Sequence, residues 1–187
     1  MNRCFILFLL ATVPVAADNV TEAIDQATTY YDDGQYQQSI SQLDFAAQMI
    51  KQMRAVGIAV FLPEPLDDWT ASEPEVVTAG AAMMGGGTTV SRNYTAADGA
   101  SVSIQLITDS PMLSMFMTFL SNPMMAASQG GQLQMVNGQQ ALVKPDEITV
   151  VVSNTYMIQF QAGNGASAAQ LLSYGQAFDY QGLATYQ

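Results

Sequence analysis

The chain predicts an α+β fold: an N-terminal helical hairpin followed by an antiparallel sheet of about six strands with two packed helices. Three observations carry that expectation. Apolar residues recur at helical spacing as far as Val56, alternation with a period of two takes over after Val76, and Asp98-Gly99, Asn137-Gly138 and Ser153-Asn154-Thr155 divide the alternating stretch into pairs.

The first seventeen residues have another character. Arg3 precedes an apolar run from Phe5 to Val13, and Val15-Ala16-Ala17 supplies small residues before Asp18, the pattern of a secretory signal peptide over residues 1–17. The apolar run is too short to span a bilayer, so the expected product is a soluble exported chain with no membrane insertion after cleavage. Its remaining length suits a small helical piece plus a compact domain. The only cysteine, Cys4, lies inside the signal and lacks the small-residue box of a lipoprotein signal. A mature chain without thiols or disulfides favours a bacterial periplasm.

Asn19 and Glu22 have the spacing of a capping box, and Val20, Ile24, Ala27 and Tyr31 predict a first helix over residues 20–32. Asp33-Gly34 breaks it. Tyr36, Ile40, Leu43, Ala47 and Ile50 then mark one face of a second, longer helix, giving an antiparallel hairpin within residues 18–60. Pro63 and Pro65 disfavour helix in front of them, so residues 61–75 are expected to be an extended linker. Trp69 either docks a partner from that linker or joins Phe61 and Leu62 in pinning it down.

The sheet domain is expected over residues 76–187. Thr88 to Thr95 and Ala100 to Thr108 form a first hairpin in which Val102, Ile104 and Leu106 alternate with polar residues. Asn137-Gly138 closes a second and Ser153-Asn154-Thr155 a third. Ser110 and Pro111 start a helix that runs to about Leu120, Asn122-Pro123 breaks or kinks it before residues 124–128, and Ser167 caps the last helix, with Leu171, Tyr174, Gly175 and Phe178 on one face.

Ala27-Thr28-Thr29-Tyr30-Tyr31-Asp32-Asp33-Gly34-Gln35-Tyr36-Gln37-Gln38-Ser39-Ile40, then Leu43 and Ala46-Ala47, resembles a single tetratricopeptide repeat. That resemblance implies close helix approach at Gly34, but one repeat makes no stacked peptide-binding array. The order of elements after residue 76 resembles the Mog1p/PsbP-like sandwich. Residues 81–94, with the preceding Leu62-Pro63-Glu64-Pro65-Leu66 and Trp69, resemble an uncharacterised family of exported bacterial proteins, which implies location and architecture and brings no catalytic residues.

Composition excludes several chemistries. The chain has no histidine, so neither a Ser-His-Asp nor a Cys-His nucleophilic site can form, and zinc lacks its usual ligands. The carboxylate pairs Asp32/Asp33, Asp67/Asp68, Glu73/Glu75 and Asp146/Glu147 all fall at expected helix ends or loops, where such residues cap and solvate. No calcium loop is present, and Gly85-Gly86-Gly87 lacks the Lys-Ser/Thr of a phosphate cradle. A net charge of −11 makes nucleic acid and anionic membranes poor partners.

What remains is binding. Arg92 shares a strand face with Val90 and Tyr94, where it either grips a ligand carboxylate or closes an internal ion pair, so Arg92, Tyr94 and Trp69 are the candidate ligand-binding residues. Met112, Met115 and Met117 lie on a helix that is apolar almost all round, which predicts burial on both sides; the alternative is a set of copper(I) thioether ligands. The expectation is an exported, acidic, non-enzymatic protein without a cofactor that engages a protein partner, with a soft-metal carrier as the alternative.

Overall fold

A computed structural model describes residues 16–79 and 87–186. The expected signal peptide over residues 1–17 lies almost wholly outside them, as do Met83, Met84, Gly85 and Gly86. The chain divides into two compact units, residues 1–50 and 51–187.

The first unit is the helical hairpin. Helix α1 (Ala16–Asp32) is already helical at Ala16, so Asn19 sits within its first turn and not at a cap; alanine has the strongest helix propensity and extends the helix past the expected start. Gly34, at φ 72°, ends it. The amide of Gln35 donates to the Tyr30 carbonyl at 2.8 Å and that of Gly34 to the Tyr31 carbonyl at 3.0 Å, the pair of bonds that closes a helix with a left-handed residue. Helix α2 (Tyr36–Ile58) then runs back. Val20 and Ala23 of α1 meet Ala46 and Met49 of α2, and the Ser39 hydroxyl donates to the Ala27 carbonyl at 2.9 Å.

The second unit is built on one antiparallel sheet of eight strands, two more than expected. These are β1 (Trp69–Ala71), β2 (Glu75–Ala79), β3 (Gly87–Ala96), β4 (Ser101–Thr108), β5 (Gln132–Val136), β6 (Gln139–Val143), β7 (Glu147–Val152) and β8 (Tyr156–Gly163). Their order is β1-β3-β4-β8-β7-β6-β5, with β2 also on β3. The three expected hairpins are β3–β4, β5–β6 and β7–β8. β1 and β2 share the outer edge of β3, pairing with Tyr94 to Ala96 and with Gly87 to Ser91 respectively. The expected linker is thus partly sheet. Ala55 and Ile58 at the end of α2, and Leu62 after it, are buried in this unit's core, which is why the division falls within α2 and not at residue 60.

One sheet face carries Tyr94, Val102, Ile104, Leu106, Ile158 and Phe160, all buried. Leu171 and Tyr174 of α5 (Ala168–Ala177) join that core with Tyr180 and Leu183 of α6 (Tyr180–Thr185). The expected last helix is therefore two: Asp179 accepts from the Gly182 amide at 2.8 Å and starts α6. Ser167 caps α5 as expected, accepting from Gln170 N at 3.3 Å, while Gln170 Oε1 accepts from Ser167 N at 2.8 Å.

The opposite face is covered at one end by α3 (Met112–Ser121) and α4 (Pro123–Ser128), whose Leu120 and Ala126 lie with Leu142 in a separate apolar cluster. Asn122 caps α4, with Pro123 in its first turn. Helix α3 buries one side only: Met112 and Met115 are 47% and 54% exposed, against the expectation of burial on both sides. A single sheet face lies beneath it, so its apolar excess stays in solvent. No helix among the described residues is long and apolar enough to cross a membrane.

Candidate functional site

The three residues proposed as a ligand site do come together. The alternation of β3 places Arg92 and Tyr94 on the face that carries the core. The Arg92 guanidinium lies 5.6 Å from the Tyr94 ring centre, Tyr94 stacks on Tyr174 at 4.6 Å, and Trp69 meets Tyr174 edge-on at 5.2 Å. Arg92 Nε donates to the Ser72 carbonyl at 2.9 Å and Nη1 to the Pro63 carbonyl at 3.1 Å; Nη2 is 3.8 Å from Glu64. The Tyr94 hydroxyl donates to the same Pro63 carbonyl at 2.7 Å. Burial pushes the Tyr94 hydroxyl far above the ordinary tyrosine range, against the opposing pull of Arg92. Two faces of the guanidinium are therefore committed to main-chain carbonyls, and what the cluster does is hold residues 63–72 on the sheet.

The methionines divide. Met112 and Met115, one turn apart, are exposed, whereas Met117 packs in the cluster of Leu120, Ala126 and Leu142. The trio does not converge on one point of the surface. Among the described residues no group of three or more carboxylates is placed to hold a metal ion.

Glu147, half of a carboxylate pair singled out by sequence, borders a polar recess of about 130 Å³ with Gln105, Gln159 and Gln161. It accepts from Lys144 at 3.0 Å and from Thr149 at 3.1 Å, so the carboxylate is already satisfied.

The feature that sequence reasoning did not single out as a site is the hairpin surface. Its internal contacts are made mostly by small residues, Ala23, Ala27, Ser39 and Ala46, together with Val20 and Met49. The large apolar residues face out: Tyr36 is 61% exposed, Ile40 51%, Leu43 50% and Ile50 47%. Spaced at i, i+4, i+7 and i+14, these four form one stripe along α2. Ile24 and Tyr31, both exposed, form a matching stripe on α1, and the Tyr31 and Tyr36 rings meet at 5.8 Å beside the turn, joining the two stripes. The periodicity was visible in the sequence; its outward orientation was not, because the same spacing also describes a helix packed on its own domain.

No known protein family, curated protein or solved structure matches the chain.

Proposed function

We propose that this is an exported, non-enzymatic protein that engages a protein partner through the apolar face of its helical hairpin. One observation carries the reading: the hairpin uses mostly small residues for its own interface and turns Tyr36, Ile40, Leu43 and Ile50 into solvent. Contiguous exposed apolar surface of that kind marks interaction sites on soluble proteins. The export half rests on Arg3, the apolar run and the small residues before Asp18. The absence of histidine from the sequence and the satisfied state of Glu147 favour binding over catalysis.

Affinity purification of the full chain from the cells that make it tests this reading. Wild type should bring down a stoichiometric partner, and Ile40→Ser/Leu43→Ser should lose it while keeping its circular dichroism spectrum. Retention of the same partner by the double variant would refute the hairpin as the binding surface. The copper(I) alternative has the two accessible thioethers of Met112 and Met115 in its favour, but Met117 is turned into packing.

A further inference from the structure

The hairpin is acidic as well as apolar. Residues 16–50 hold six of the chain's sixteen carboxylates (Asp18, Glu22, Asp25, Asp32, Asp33 and Asp44) and none of its five lysines and arginines. Three of those carboxylates are placed to edge the apolar stripes. Asp25 directly follows Ile24, Asp32 follows Tyr31 and Asp44 follows Leu43, and a step of one residue turns about 100° around a helix, from the centre of a stripe to its flank. None of the three carboxylates has an ion-pair partner among the described residues, so their charge is open to a partner.

We propose that the occupant of this face is a basic amphipathic helix of another protein, laid along α2 as a third helix, its apolar side on the stripes and its lysines or arginines against Asp25, Asp32 and Asp44. The inference rests on the reading of the hairpin as the binding face and adds the chemistry of the partner. The stripe from Tyr36 to Ile50 is about 21 Å long at the rise of an α-helix, enough for about four turns of partner.

Charge excludes the other occupants. A second copy would set one acidic hairpin against another, and it has few cations to offer. Arg54 is paired with Asp109, Arg92 is bonded to Ser72 and Pro63, and Lys144 is bonded to Glu147, which leaves exposed Lys51 as the one cation among the described residues without such a bond, against three stripe carboxylates. A lipid surface is likewise a poor fit, because helices that lie on membranes carry several lysines and arginines beside their apolar face, and along these stripes, residues 16–50, there is neither, Lys51 following only at the end of the α2 stripe.

The test uses the full chain and two synthetic peptides of eighteen residues with the same leucine pattern, one filled with lysine and the other with glutamate. Fluorescence anisotropy should show the lysine peptide binding at least about tenfold more tightly than the glutamate peptide, with an affinity that falls as salt rises. Asp25→Asn/Asp32→Asn/Asp44→Asn should weaken the lysine peptide about tenfold, and Asp67→Asn/Asp98→Asn/Asp146→Asn, which removes the same charge elsewhere, by less than about twofold. Ile40→Ser/Leu43→Ser should weaken it about tenfold or more. Equal losses in the two aspartate variants would reduce the effect to general attraction to an acidic protein and overturn the proposal. So would equal affinity for both peptides, or sedimentation showing a dimer abolished by Ile40→Ser/Leu43→Ser. If the lysine peptide fails to bind while the co-purified partner is still lost in that double variant, the basic-helix inference falls and the binding reading stands. If the double variant changes neither, both fall.

Discussion

Arg92 and Tyr94 reach the same acceptor, the carbonyl of Pro63, and that shared bond explains why a strand residue with the look of a ligand-binding arginine is a brace. Removing one partner leaves the other groups buried without their bonds. Arg92→Ala should cost about 1–3 kcal/mol in urea unfolding, and Tyr94→Phe about 1 kcal/mol. A double variant that loses less than the sum of the two would show that both act through residues 63–72. The tyrosines also set a pH dependence. Burial raises the Tyr94 and Tyr180 hydroxyls above the value of about 10 that an unfolded tyrosine has. A raised folded value means their contribution is fully present below pH of about 10 and is lost as the pH climbs toward the folded values. Urea midpoints should therefore hold from neutrality to pH of about 9.5 and fall above about 10, less steeply in Tyr94→Phe. The sequence placed Arg92 beside Tyr94 by simple alternation. It could not show that the guanidinium's partners lie some twenty to thirty residues earlier, because those contacts exist only once residues 63–72 lie against β3.

The elements that were legible are the ones fixed by local chemistry. Asn137-Gly138 makes a two-residue turn with both residues at positive φ, 42° and 79°, and sets Val136 opposite Gln139. Gly138→Ala should lower stability by about 1 kcal/mol, since its φ is one that a side chain resists, and the loss should appear in the unfolding midpoint without a change in slope. Ser167 caps where expected for the same local reason, and the expected break at Asn122-Pro123 is made by Asn122 capping α4. Strands β1 and β2 were missed because they are three and five residues long and are held only by register with β3, which nothing in their own composition announces. The break between α5 and α6 depends on the Asp179 cap and on Phe178 turning into the core, a tertiary preference that the helical spacing of Leu171, Tyr174 and Phe178 conceals. α3 shows the reverse error: apolar periodicity states what a helix could bury, and only the number of neighbours decides what it does bury.

At the scale of the molecule the two units differ in how much core each owns. The sheet unit has a continuous cluster running from Ala55 to Leu183, whereas the hairpin buries Val20, Ala23, Ala27 and Ala46 with one serine. Hydrogen exchange should therefore find the α1 amides exchanging about a hundredfold faster than those of β4 and β8, since opening energy follows buried apolar contact. A partner seated on the stripes would close that gap. The mixed fold and the hairpin were legible from periodicity and turn residues, but the binding face was not, because spacing cannot say which side of a helix is left without a neighbour. The most direct measurement places a photocrosslinking amino acid in turn at Ile40, in the stripe, and at Gln105, on the polar sheet face, in the cells that make the protein. A discrete adduct with a second protein from position 40 and none from position 105 is the result expected here. No adduct from position 40, or the same adduct from both positions, would contradict the hairpin as the binding face.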